Sequence, residues 1–260
     1  MDAKTLRSDL ELTRKNRETL FRRPNLLFWY QKLYERILGA DQAAIAEMRI
    51  LEIGSGMSPL KCFYPSVISS DVMPLEYLDL VFDAHRIDQV DAVADGSLDM
   101  IMMTNVLHHL QCPLEFLSAA QKKLRTGGRL VLVEPFFSLL SRAIYALFHH
   151  ETADFRISTP CLSDVKGPLS SANQALPYMI FYSRQEWRQQ VTNIYRIDPV
   201  GSFHYTAISY MMTGGVSRDF RVPHCFYRYC WYLDSWLANH APKLVAAFFV
   251  TTLVKASSQS

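Results

Sequence analysis

The side chains able to do chemistry fall at the ends of short apolar runs. Residues 49–59 read R-I-L-E-I-G-S-G-M-S-P. Ile50, Leu51 and Ile53 predict a strand buried on both faces. Glu52 then leads into two spaced glycines, Gly54 and Gly56. Glycine permits backbone angles that other residues resist and lets a ligand lie against bare main chain. The helix expected next would point its N–H groups at that ligand. Asp71 ends a second apolar run, Asp83 a third, and Asn105-Val106-Leu107-His108-His109-Leu110 follows a fourth. Each group would stand at the carboxyl edge of a parallel sheet, where open α/β sheets bind ligands. Histidine can move a proton near neutral pH, so His108 and His150 are the candidate bases. Glu134 is either a substrate-side carboxylate or a cap for the neighbouring loop.

Each feature also has a plainer reading. A lone Asp71 or Asp83 reads as a solvated strand-end acid, and only their joint placement argues for a site. His109 reads as the structural member of its pair. His149, His150, Glu151 and Asp154 invite a metal, but adjacent histidines point apart on a helix, so none is expected.

The elements that must position these groups follow from periodicity. Residues 1–47 predict helices broken at Pro24, with Leu26, Trp29, Leu33 and Ile37 as one apolar stripe. Strands are expected at 67–70, 80–82, 98–104 and 129–133. A helix should run from Pro113 to Leu124, with Thr126-Gly127-Gly128 closing it. Strand–helix–strand spacing implies βαβ units. Phe137, Leu140, Ile144 and Leu147 suggest a further helix, followed by a loop to Tyr182. Ser183 and Glu186 form a capping box for a helix to Val191, and a strand follows at 194–197. Met211 to Gly215 reads as a flexible turn. Phe226, Tyr229, Cys230, Leu233 and Leu237 form the expected buried face of an aromatic helix, and a closing strand spans 246–254.

At 260 residues and a net charge of +2, one embellished α/β domain is expected, with no electrostatic case for nucleic acid. The five cysteines show no C-x-x-C pair and read as reduced thiols of a cytoplasmic protein. No apolar signal region is seen, and residues 244–254 are too short an apolar run to span a bilayer.

Taken together, these motifs resemble the class I S-adenosylmethionine-dependent methyltransferases, above all the small-molecule branch with its V-L-H-H-L segment (106–110) and G-G-x-L-V-L-V-E-P strand (127–135). The resemblance covers residues 49–135 well and the last elements more loosely. It implies a Rossmann-like, mostly parallel seven-stranded sheet with helices on both faces, an N-terminal helical cap (1–48) and a cofactor-binding half (49–135). An insertion (136–182) and final elements carrying a second insertion (about 205–243) complete a single domain. It further implies S-adenosylmethionine as cofactor. Gly54, Ser55 and Gly56 would lie along its methionine portion, with Glu52 at the amino group. Asp71, beside Val72, would accept from the ribose hydroxyls; Asp83 and the Ala84 N–H would meet adenine. Asn105 and Val106 would flank the sulfonium, and His108 would face the substrate. The family often has a third glycine where this chain has Ser58.

The implied activity is methyl transfer by in-line displacement to a small molecule, sugar or lipid-linked glycan. Residues 134–151 and Gly214-Gly215 look like bacterial methyltransferases found with surface-polysaccharide enzymes. A catalytically inactive cofactor-binding subunit is the alternative. A nicotinamide-dependent oxidoreductase is the other, though it would want glycine where Pro59 stands. The acceptor pocket is expected in the insertions, from Phe136, Phe137, Tyr145, Phe148, Phe203, Tyr205 and Tyr210, with Arg142, Arg156 and Arg218 for an anionic group. These aromatics equally suit the core of a helical cap. Peripheral membrane contact through the aromatic helix stays open, its polar face having only Arg228 among basic residues.

Overall fold

Alternation of side chains along short, apolar strands divides the core into two layers, one on each face of a central sheet. The computed structural model describes residues 3–148, 153–163, 167, 171–219 and 222–256. Three N-terminal helices, α1 (Ala3–Phe21), α2 (Pro24–Leu38) and α3 (Gln42–Ala46), precede β1 (Ile50–Ile53). Then come α4 (Leu60–Phe63), β2 (Ile68–Asp71), β3 (Leu80–Val81), β4 (Leu98–Thr104), α5 (Pro113–Ala120) and β5 (Leu124–Pro135). The C-terminal half adds α6 (Leu139–Phe148), α7 (Ala175–Tyr178), α8 (Gln185–Thr192), β6 (Tyr195–Tyr205), α9 (Ile208–Met212), α10 (His224–His240), α11 (Pro242–Val245) and β7 (Phe248–Lys255).

The seven strands form one sheet in the order β3-β2-β1-β4-β5-β7-β6. Strands β1 to β5 pair in parallel, and β7 runs antiparallel to both β5 and β6. Leu51, Ile53, Ile101, Met103, Leu130 and Leu132 point to one face, under Phe116, Leu117, Leu176 and Trp187 of α5, α7 and α8. Ile50, Met100, Met102, Val131 and Val133 point to the other, under Trp29, Leu33, Leu60, Tyr227 and Trp231 of α2, α4 and α10. The mostly parallel seven-stranded sheet with helices on both faces is therefore present. Among the described residues no helix is long and apolar enough to cross a membrane.

Several local expectations are corrected. Helix α5 ends at Ala120, because Leu124 already pairs with Leu98 in β5. Gly127 and Gly128 sit inside that strand, at a register shift where a Cβ on Gly128 would stand 2.8 Å from the Arg125 carbonyl oxygen. Strand β6 runs on to Tyr205 through an irregularity between Asp198 and Phe203. The stretch before Tyr182 is not all loop, since α7 passes into a wide turn at Met179–Ser183. That turn consumes Ser183, so Arg184 takes the N-cap position of α8 with no side-chain cap. Met211 and Met212 close α9 instead of forming a flexible turn. Helix α10 buries Tyr227, Trp231, Asp234 and Ala238, while the predicted face of Phe226, Tyr229 and Leu233 is exposed. Cys112 and Cys161 are disulfide-bonded, which removes the reading of five reduced thiols and one argument for a cytoplasmic location. The Leu162 N–H donates to the Gln111 carbonyl at 2.8 Å, which holds the two segments side by side.

Candidate active site

The order of the sheet reverses between β1 and β4, the switch point at whose carboxyl side open α/β sheets bind their ligands. The registers align the ends of β1, β2 and β4: Ile53 lies beside Ser70 on one side and Met103 on the other. The loop after β1 and the loop after β4 meet there. Gly54 has φ +76, and Val106 packs so closely that a Cβ on Gly54 would stand 2.2 Å from Val106 Cγ2. The expected glycine-to-helix turn is reduced, because α4 is only four residues long and begins at Leu60. Met57, Ser58 and Pro59 separate Gly56 from the first residue of that helix.

Glu52 is buried at 1 % exposure. Ser55 Oγ donates to its Oε2 at 2.8 Å and Ser58 Oγ to its Oε1 at 2.5 Å. Ser58, which stands where the family often has glycine, thus supplies a hydroxyl to this carboxyl group. Burial pushes Glu52 up to about 7, against the pull of Ser58, Ser55 and Arg17. Such a group holds an extra proton in the folded state, so it costs stability as pH rises from its ordinary value of 4.5 to about 7. By urea denaturation, the wild type should lose roughly 3 kcal/mol more than Glu52→Gln across that window. Equal losses would show that Glu52 does not titrate there.

Asp71 is also buried, which raises its carboxyl pKa. Its Oδ2 accepts from the Gly56 N–H and its Oδ1 from the Met73 N–H, each at 3.0 Å. The Asp71 carbonyl accepts from the Phe82 N–H at 3.1 Å, so the turn carrying Asp83 comes next along the rim. The Asp83 side chain is half exposed and accepts from the His85 N–H at 2.9 Å. Beside these acids Val72 is exposed and Ala84 buried.

Asn105 adopts φ +56, a strained left-handed conformation for a side-chain-bearing residue. Its N–H donates to the Val133 carbonyl at 2.8 Å. Its Oδ1 is buried without a hydrogen-bond partner among the described residues. Glu134, fully buried at the end of β5, organises the rest of the loop after β4. Its Oε1 accepts from the Val106 N–H at 3.0 Å and the Leu107 N–H at 2.6 Å. Its Oε2 lies 2.5 Å from His108 Nδ1. The carboxylate accepts, so Nδ1 carries the hydrogen and Nε2 becomes the basic nitrogen. Of the two readings of Glu134, the structure selects the loop cap. His109 Nδ1 lies 3.0 Å from the Ser171 carbonyl, as suits a structural histidine.

Further residues at the first loop come from the N-terminal helices and from the loop between β2 and β3. Thr13 of α1 would meet a Cβ on Gly56 at 3.0 Å. Arg17 donates to the Ser58 carbonyl at 2.7 Å, and Tyr34 Oη lies 3.0 Å from Ser58 Oγ. Tyr77 donates to the Gly56 carbonyl at 2.6 Å. Tyr34 lies beside the predicted α2 stripe and not in it, and Thr13 and Arg17 stand in a mixed polar helix, so periodicity marks none of them.

Glu52, Ser55, Gly56 and Asp71 are thus joined by hydrogen bonds, Gly54 touches Val106, and Glu134 ties Val106 to His108. His150, together with His149 and Glu151, lies outside the described residues. The aromatics expected at the acceptor pocket divide. Tyr205 and Tyr210 pack on Trp29 and Phe248, and Phe203 lies under Arg36. Phe136 and Phe137 join Tyr178, Tyr182 and Phe155. These rings therefore pack on one another and on the sheet. Arg156, 91 % exposed at its side chain, pairs with Asp154. Arg142 stands over Phe155.

A family model described as a methyltransferase domain matches residues 22–194. No curated protein matches the chain. Among solved structures, it is similar to a SAM-dependent methyltransferase from Archaeoglobus fulgidus, at 14 % identity, TM-score 0.42, over 87 % of this chain and 100 % of that one. It is also similar to the N-methyltransferase NodS from Bradyrhizobium japonicum WM9, solved with S-adenosyl-L-homocysteine, at 12 % identity, TM-score 0.45, over 92 % of this chain and 91 % of that one.

Proposed function

This chain belongs to the methyltransferase-domain family, and from that premise we propose that it transfers a methyl group from S-adenosylmethionine to a small molecule, sugar or lipid-linked glycan. The observation that supports the reading is the rim at the carboxyl ends of β1, β2 and β4, which carries the buried acids Glu52 and Asp71 and Asn105 Oδ1, buried without a hydrogen-bond partner among the described residues. A ligand with an ammonium, a vicinal diol and a sulfonium suits that set, since every one of these side chains offers oxygen acceptors. All seven strands, drawn from both halves of the chain, complete one sheet, which supports a single domain over 1–260.

When bound, the cofactor supplies a methyl group already activated on sulfur. The protein's work is then to orient, to exclude water and to accept a proton. Glu52 takes the amino group, with Gly54, Ser55 and Gly56 as the surface beneath it. Asp71 takes the ribose hydroxyls, with Val72 beside it. Asp83 and Ala84 take adenine, and Asn105 and Val106 the sulfonium end. Thr13, Arg17 and Tyr77 hold the first loop under α1 and keep solvent off it. For a hydroxyl acceptor, His108 Nε2 takes the proton while Glu134 fixes the ring through Nδ1.

Asp71→Ala should weaken S-adenosylhomocysteine binding by ~1–3 kcal/mol in calorimetry through lost hydrogen bonds. Unchanged affinity would place the ribose elsewhere. The function itself is tested by incubating the purified protein with methyl-labelled cofactor and fractionated lipid, glycan and metabolite pools. Label in one pool supports transfer. Binding of S-adenosylhomocysteine with no labelled pool would overturn it in favour of a cofactor-binding subunit.

A further inference from the structure

Helix α10 turns its more aromatic side outward. Phe226, Tyr229, Tyr232, Leu233 and Trp236 are between 52 and 69 % exposed. At about 100° per residue these five fall within roughly a third of the helix circumference. The opposite side is fixed to the body of the protein by Tyr227, Trp231 and Ala238, and by Asp234, which accepts from both the N–H and the hydroxyl of Ser209. The exposed stripe is therefore held in place by a packed face. In α11, which packs against α10, Leu244 is 53 % exposed.

The segment that carries this stripe has few charged residues. Between residues 220 and 256 the sequence has a single acidic side chain, Asp234, and that one is buried. Arg228, whose guanidinium stands 5.7 Å from the Phe28 ring centroid of α2, and Lys243 of α11 are exposed. His240 stacks on Trp236 with ring centroids 4.6 Å apart. Tyrosine and tryptophan, with apolar bodies and polar tips, are the side chains that settle at a lipid headgroup boundary. Basic residues beside an apolar face add attraction to anionic lipid.

We propose that the α10–α11 face docks the protein on an anionic lipid surface, with Tyr229, Tyr232 and Trp236 at headgroup level and Arg228 and Lys243 against the phosphates. This docking is independent of the identity of the methyl acceptor.

The test is co-sedimentation with vesicles of phosphatidylcholine alone and of phosphatidylcholine mixed with phosphatidylglycerol. The wild type should pellet with the mixed vesicles, and less with the neutral ones or in high salt. Tyr229→Ser/Trp236→Ser, both at exposed positions, should reduce vesicle binding at least about tenfold while S-adenosylhomocysteine affinity stays unchanged. Arg228→Glu/Lys243→Glu should remove the preference for the anionic mixture. As a check that needs no variant, vesicles with brominated acyl chains should quench part of the wild-type tryptophan fluorescence. Absence of pelleting, equal pelleting of the serine variant, or no quenching would each overturn the proposal. So would a lipid-free dimer in sedimentation velocity that the serine substitutions disperse, since the face would then belong to a second copy of this chain.

Discussion

Glu134→Ala is expected to destabilise the protein by roughly 3–5 kcal/mol in chemical denaturation, because it strands several buried groups at once. The carboxylate accepts from the Val106 and Leu107 N–H groups and from His108 Nδ1, with no exposure of its own. No water can replace those bonds without opening the loop. Glu134→Gln separates the structural from the chemical role. Its amide oxygen still serves the two backbone N–H groups, whereas its NH₂ now faces His108 Nδ1 and drives the ring proton to Nε2. Folding and S-adenosylhomocysteine affinity should be close to wild type, while kcat on a hydroxyl acceptor falls by about 10²–10⁴ and loses its dependence on the histidine. A Gln variant with wild-type kcat would confine Glu134 to loop capping.

The second large effect is expected at Gly54. With φ +76 and Val106 Cγ2 at 2.2 Å from any added Cβ, Gly54→Ala pays twice, in backbone conformation and in overpacking. The sum is about 2–4 kcal/mol of stability. It should be accompanied by loss of cofactor binding, since both loops of the rim must move. Gly54→Ala/Val106→Ala should recover the packing part and leave the conformational part, which a double-mutant cycle reads directly. An unchanged melting temperature for Gly54→Ala would mean that the two loops do not meet as described.

What was legible in the sequence was local. Each apolar run that became β1, β2, β3 or β4 is a few residues long, and the polar group that ends it is next in the chain. Position along the sheet edge is then set by parallel pairing alone. Asp71 and Asn105 were found this way. Groups that come to the site from elsewhere were not, because nothing near Thr13 or Arg17 marks them as partners of the first loop. Glu134 admits two readings in the sequence, since its three partners lie 26 to 28 residues upstream. The Cys112–Cys161 pair spans 49 residues and shows no motif.

The misreading of α10 has a different cause. Both of its sides are aromatic, so periodicity could not choose between Phe226–Tyr229–Leu233 and Tyr227–Trp231–Ala238. Asp234 lies on the side that is buried, although an acid usually marks the wet side. Ser209 satisfies that carboxylate in the interior instead. Ser183 and Glu186 likewise match a capping box, yet the wide turn at Met179–Ser183 takes the serine before the helix starts.

The central claim is that one rim, built from loops far apart in the chain, grips an adenosyl cofactor. Amide hydrogen exchange with and without S-adenosylhomocysteine reads this directly. Slowed exchange should be confined to residues 54–58, 71–73, 83–84 and 105–107. Unchanged exchange at saturating ligand, or protection only outside those segments, would contradict the account.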